Sequence, residues 1–305
     1  MFRLLFLFLS IGILCLFASS SLAQAKYVDY QDAYSQGANH IRAGRLAQAR
    51  EPLEAAVGLA STAREKLEIR RALMIPYREL QEIEPMQTAV EYVLANSEQA
   101  AEQSLTRGSM LSFVNKRGKL ADAIKGYEER LEKSPDDRVV LYVLTEAYGR
   151  YQNKPDLSAD MGERLIAVEE KQKIKPYVIS HQEIARQMVL AKRYKAGAEL
   201  FEKLAPLDKT MEAWNYKEAA MAWLKAMDKV KALAAAKKSS EGTPETRGDQ
   251  LAYYWRRALG ETFMSLDEPK TAVGHFEKAL KLTKIDGYVK DTQLKLAEAK
   301  AAADK

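Results

Sequence analysis

The chain has 305 residues, 47% hydrophobic and 29% charged, with 47 Lys and Arg against 42 Asp and Glu, 15 Gly, 9 Pro and one Cys. One cysteine excludes a disulfide framework, and the few glycines and prolines exclude a fibrous or low-complexity chain. Charges of both signs are interleaved at a net of +5, which argues against nucleic acid as a partner. Ala, Leu, Glu, Lys and Arg dominate and lose little entropy in a helix, so the expected class is all-α.

In chain order, the first element is a targeting signal. Arg3 precedes an apolar run from Leu4 to Ala18, followed by Ser19, Ser20 and Ser21 and by the small-x-small sites Ser21-Leu22-Ala23 and Ala23-Gln24-Ala25. This pattern predicts a secretory signal peptide over residues 1–23. The run is shorter than the roughly 20 residues of a membrane-spanning helix. A retained signal segment is the one membrane attachment expected. Ile13 and Leu14 precede Cys15 where a lipoprotein signal needs small residues, so no lipid anchor is expected. Removal of the signal takes away Arg3 alone among the charges and leaves a net of +4 and no cysteine. The expected location is the bacterial periplasm, with secretion or inner-membrane anchoring as alternatives.

A repeat array is expected over residues 24–286. It opens with Gly37 on a first helix, then Gly44-x-Leu46-x-x-Ala49-x-x-x-Leu53-x-x-Ala56, with Pro52 inside the second helix. A weaker unit runs over 70–96 with Ala89 and Val93. Gly118-x-Leu120-x-x-Ala123-x-x-x-Tyr127 then leads to Leu131 and Pro135. A second weak unit holds Leu141, Leu144, Tyr148, Met161 and Leu165. Ala185 and Met188 precede Tyr194, Gly197 and Phe201, and Ala220 and Trp223 precede Ala232 and Ala236. A Lys-, Ser-, Gly- and Pro-bearing stretch near 237–249 reads as an exposed loop. Leu259-Gly260-x-x-Phe263 and Ala272-x-x-x-Phe276-x-x-Ala279-Leu280 form the clearest unit. Residues 287–305 read as a polar capping helix and tail. The second-helix markers Ala49, Ala89, Ala123, Met161, Gly197, Ala232 and Ala272 recur every 34 to 40 residues.

The spacing of small residue, aromatic filler, turn Gly and closing Pro resembles the tetratricopeptide repeat, a helix-turn-helix unit of 34 residues. The resemblance implies a right-handed superhelical solenoid of about seven such repeats, closed by the C-terminal helix. It also implies that first helices line a groove for a protein or peptide. Transferring the family's groove register selects Tyr34, Arg42, Arg78, Asn115, Lys116, Tyr142, Arg150, Arg186, Lys217, Tyr254 and Arg257. The seven bases among them form a ladder. One reading is a groove for an acidic segment, since Arg matches carboxylates bidentately. The other is that a chain rich in Lys and Arg places some on every face. The expected role is a periplasmic scaffold or adaptor, or alternatively a permanent subunit of an envelope transport, biogenesis or secretion assembly.

Catalysis is not expected. His40, His181 and His275 fall in three different units, and no pair shares a helix face as a zinc site would require. No phosphate-cradling Gly-rich loop and no Gly-x-Ser-x-Gly elbow is present. No cofactor and no metal is expected.

Overall fold

A computed structural model describes residues 26–242 and 248–305. The signal segment, Cys15 and the candidate cleavage sites lie outside them, as do residues 243–247 of the predicted loop. The described residues hold fifteen α-helices and no strand.

The chain divides into two compact units, Met1–Lys116 and Arg117–Lys305. The first contains α1 (Tyr30–Arg42), α2 (Leu46–Leu59), α3 (Ala63–Glu79), α4 (Ile83–Asn96) and α5 (Ala100–Lys116). The second contains α6 (Leu120–Lys133), α7 (Arg138–Glu146), α8 (Pro155–Lys171), α9 (Val178–Leu190), α10 (Tyr194–Leu204), α11 (Glu212–Lys225), α12 (Lys229–Ser240), α13 (Asp249–Ser265), α14 (Pro269–Lys281) and α15 (Asp286–Ala303). A five-residue π turn, Ala147–Tyr151, continues α7.

Within each unit, consecutive helices pack on one another, and first helices also touch the next first helix, as α1 does α3 and α11 does α13. Small residues set the spacing. A Cβ on Gly37 of α1 would lie 2.5 Å from Leu53 Cγ of α2, and one on Gly260 of α13 would lie 2.6 Å from Phe276 Cε1 of α14. Leu53, Phe201, Trp223 and Phe276 fill the gaps and are essentially fully buried. Burial of each such side chain contributes ~1.5–3 kcal/mol.

The register of the repeats is written in the turns. Gly44, Gln81, Gly118, Asn153, Lys192, Met227 and Asp267 all have φ between 51° and 69°, one in each turn that follows a first helix. In most of them the next residue's N–H reaches back to the helix, as Glu82 N to Tyr77 O (2.8 Å), Arg193 N to Met188 O (2.8 Å) and Glu268 N to Phe263 O (2.9 Å). These are Schellman closures, which satisfy the last carbonyls of the helix.

Two sequence markers are corrected by this register. Counting from Gln81, the close-packing position of the second unit is Met86 rather than Ala89, and both are buried. Counting from Asn153, the fourth unit uses Ser158, fully buried with its Oγ donating to Thr145 O at 2.7 Å, rather than the half-buried Met161. The loop predicted near 237–249 also begins later. α12 runs to Ser240, and buried Ser239 donates to Ala213 O at 2.7 Å. α15 packs on α14 and α13 and buries only Thr292 and Ala299, as a terminal cap does.

Candidate functional site

In the first unit the face built by α1, α3 and α5 carries five of the predicted residues. Tyr34 is half-buried and stacks on Tyr30 with centroids 5.6 Å apart. The Tyr30 hydroxyl donates to Glu68 of α3 at 3.3 Å. Desolvation, reinforced by the Glu68 charge, pushes the Tyr30 hydroxyl up to about 12. Arg42, Arg78 and Lys116 occupy the last turns of α1, α3 and α5. A base there also opposes the negative end of the helix dipole, a local reason for its presence independent of any ligand. All three are exposed, as is Asn115. Arg78 lies 3.4 Å from Glu79. Among the described residues no acid lies within ion-pair distance of Arg42 or Lys116. Apolar side chains are also exposed on these helices: Ile75 of α3, one turn before Arg78, and Leu105 of α5, which is 75% exposed and lies about three turns before Lys116.

Sequence reasoning missed Arg71, which belongs to the same face. Its guanidinium grips the Glu102 carboxylate of α5 in two bonds of 2.6 Å, so it joins helices instead of meeting a ligand. Arg71 holds the Glu102 carboxyl below its usual range, against the opposing effect of burial. The one available signal is an Arg and a Glu about one repeat apart.

In the second unit the predicted ladder breaks down. Tyr142 is buried, and its hydroxyl donates to Glu169 Oε1 at 2.9 Å, so it is core and not a binding anchor. Lys217 is buried beneath Trp214, 4.8 Å from the ring centroid and 2.8 Å from Glu218, and is not an open groove base. Arg257 is bridged by Asp291 at 2.8 Å and Glu261 at 3.1 Å, and Lys295 of α15 adds a bond to Glu261 at 3.0 Å. The Tyr254 hydroxyl lies 2.7 Å from that of Tyr288 on the cap. Arg150 and Arg186 are exposed, 3.3 Å from Glu146 and 3.4 Å from Glu183. The four bases do not share one turn: Arg150 lies three residues before the left-handed Asn153, Arg186 six before Lys192, and Lys217 and Arg257 each ten before Met227 and Asp267. Composition had supplied the bases, but their register drifts, and the cap neutralises Arg257.

A buried ionic cluster, absent from the sequence reading, ties α7, α8 and α9 together. Arg138 Nε donates to Glu169 Oε1 at 3.0 Å, and His181 Nε2 lies 2.8 Å from Glu169 Oε2. Next to it, Gln182 Nε2 donates to Asn215 Oδ1 at 2.7 Å, and both residues are buried. Among the described residues no cluster of three or more metal-ligating side chains occurs, and no helix is long and apolar enough to cross a membrane.

No protein-family model matches the chain, and no curated protein matches it. Solved structures do. The C-terminal part of a TPR repeat-containing protein from Cytophaga hutchinsonii aligns with a TM-score of 0.52 at 14% identity, over 85% of this chain and 98% of that one. YrrB, described as a TPR protein with an unusual peptide-binding site, aligns at 0.46 and 13% identity over 64% of this chain and 94% of its own. A MamA protein aligns at 0.45 and 15% over 60% and 92%. The helix pairs, their small-residue contacts and their recurring left-handed turns, together with the first of these likenesses, give this chain the tetratricopeptide-repeat fold.

Proposed function

We propose that the protein is a non-catalytic scaffold of the bacterial periplasm that binds a partner polypeptide on the first-helix face of its N-terminal unit, and that the partner offers an acidic segment. One observation carries this reading. Arg42, Arg78 and Lys116 recur at the same end of α1, α3 and α5, exposed, with Ile75 and Leu105 uncovered on the same helices. A row of bases beside apolar surface suits a chain of alternating carboxylates and apolar side chains. Residues 1–23 direct export and are then removed in this reading.

The test combines crosslinking and pull-down of the processed chain from its own envelope fraction with charge reversal. An Arg42→Glu, Lys116→Glu variant should lose the captured partner. Two surface ion pairs at ~0.5–1 kcal/mol each correspond to roughly 5–30-fold in affinity. An Arg150→Glu, Arg186→Glu variant should keep it. Equal loss from both variants, or from neither, refutes the N-terminal site. N-terminal sequencing of the envelope-borne protein checks export, and recovery of the intact chain in the cytosol overturns it.

A second reading has its own support. Met227, in the turn before α12, and Val230, in its first turn, are 87% and 81% exposed. Apolar side chains left so open fit a permanent subunit of an envelope assembly. Purification of a complex of fixed stoichiometry that survives high salt but not Met227→Ser with Val230→Ser favours it.

A further inference from the structure

The α11–α12 turn and the first turn of α12 hold Met227 and Val230, the most exposed large apolar side chains among the described residues of the second unit. One repeat earlier, the α9–α10 turn brings Leu190, 60% exposed, and the exposed Lys192. Lys225 shows that these two turns are neighbours. Its Nζ lies 6.0 Å from the centroid of the Tyr194 ring, so the last residue of α11 meets the first residue of α10. Lys229 reaches the α13–α14 turn in the other direction, 2.7 Å from Asp267. Turns of three consecutive repeats therefore line up along one edge.

The charge on this edge is basic. Among the described residues no acid lies within ion-pair distance of Lys192, Lys225 or Lys231. Lys231 lies over the Trp223 ring, 4.2 Å from its centroid. The acid of the α11–α12 turn, Asp228, caps α12 by accepting the Lys231 N–H at 3.0 Å. We propose that this edge seats on an anionic lipid bilayer, with Leu190, Met227 and Val230 entering the boundary between headgroups and acyl chains and Lys192, Lys225 and Lys231 meeting the lipid phosphates. The apolar side chains stand at turns, not in a groove, and a fluid surface receives such tips without a shaped partner. The free bases are lysines, whose flexible stems lie along apolar material while the ammonium stays in water. Carboxylates fixed on a protein are better matched by the planar fork of Arg, and the Arg of this edge, Arg193, is already held by Asp160 and Glu163.

The edge belongs to the second unit, so this attachment is independent of which partner the N-terminal unit binds. It also gives Met227 and Val230 a different occupant from a subunit contact. A lysine at an anionic surface contributes about fivefold in affinity, so Lys192→Gln with Lys225→Gln should weaken binding by roughly 25-fold. Met227→Ser with Val230→Ser should weaken it ~10-fold or more by removing the apolar insertion.

Co-sedimentation of the processed chain with vesicles tests the proposal. Phosphatidylcholine vesicles with about a third phosphatidylglycerol should bring the chain down, and phosphatidylcholine alone should not. Raising salt from about 0.05 M to about 0.5 M should weaken the binding as the Debye length shrinks. Both double variants should lose affinity by the factors given. No sedimentation with the anionic vesicles, equal sedimentation with both kinds, or binding that survives both double variants overturns the proposal. A fixed protein complex that is lost with Met227→Ser and Val230→Ser, in the absence of vesicle binding, assigns the edge to a subunit contact and overturns it too. Hydrogen exchange of the unmutated chain locates the contact even if a variant fails to fold: anionic vesicles should slow exchange at 189–193 and 225–231, and protection confined to other segments overturns the assignment.

Discussion

Gly260→Ala isolates the close helix approach on which the repeats depend. The added Cβ would lie 2.6 Å from Cε1 and 2.8 Å from both Cδ1 and Cζ of Phe276. Carbon atoms prefer ~3.5–4.0 Å, so the ring or α13 must move by about 1 Å. Phe276 is 1% exposed and has no free space into which to turn. Overpacking of this kind costs ~1–3 kcal/mol. Alanine also gains ~1 kcal/mol of helix propensity over glycine, which masks part of the cost. Gly274→Ala on the adjoining α14 is the control, because nothing lies within 4 Å of the point its methyl group would occupy and only the propensity gain remains. Subtracting one variant from the other cancels propensity and leaves the packing cost, ~1–3 kcal/mol in favour of Gly274→Ala. In thermal melts that is roughly 2–12 °C for a unit of this size, at 2–4 °C per kcal/mol. Urea unfolding with unchanged m-values gives the free energies directly. Phe276→Leu should partly rescue Gly260→Ala. If the two alanine variants agree within ~0.5 kcal/mol, or if the leucine gives no rescue, the close-approach account is wrong.

Other expectations rest on different contacts. Met227→Gly and Lys192→Gly should each stabilise by ~1 kcal/mol, since both hold φ near 60° without glycine's freedom, and Gly118→Ala at φ 67° should cost about as much; urea midpoints check all three. Glu169→Gln should cost ~3–5 kcal/mol at pH 7 by leaving the part-buried Arg138 guanidinium without its carboxylate. The Glu169 carboxyl is lowered from 4.5, so its contribution is present above that value and fades as pH falls through the depressed one. Wild type and Glu169→Gln should therefore converge in thermal melts at strongly acid pH and differ most near neutrality.

The fold was legible where residues had to be small. Ala49, Gly197, Ala232 and Ala272 are buried at second-helix positions, and Gly37 and Gly260 meet the side chains that fill the adjoining gap. It was misread where neither the turn nor the close-packing position five residues on carried glycine or alanine, as at Gln81 with Met86 and Asn153 with Ser158. Gln81 and Asn153 adopt the left-handed conformation with ordinary side chains, which left nothing in sequence to fix the register of the second and fourth units. The markers therefore slipped to Ala89 and Met161. The predicted ladder failed for a related reason. A base every 30 to 40 residues says nothing of which turn of its helix it occupies, and of the seven only Arg42, Arg78, Lys116 and Arg150 lie in the last turn before the left-handed residue. Tyr142 looked like a binding anchor because it lies on a first helix. Its partner Glu169 ends α8, and that pairing depends on how three helices pack.

The polar bonds repeat the period of the chain. Arg50–Glu82 and Arg71–Glu102 in the first unit, and Arg138–Glu169, Gln182–Asn215 and Arg257–Asp291 in the second, span 31 to 34 residues. Arg138–Glu169 joins the two helices of one repeat and the others join an element to its counterpart one repeat on, so energy should pass only within a repeat and between neighbours. Double-mutant cycles in the second unit test this. Glu169→Gln and Gln182→Leu both act on α9, where His181 and Gln182 are adjacent, and should couple by ~0.5–3 kcal/mol. Glu169→Gln and Arg257→Ala act on junctions separated by α10 to α12 and should add to within ~0.3–0.5 kcal/mol. Chemical denaturation of the single and double variants provides the cycles. Strong coupling of the distant pair would mean that the second unit unfolds as one inseparable core, and the left-handed turns would then mark a repeating geometry without a repeating energetics.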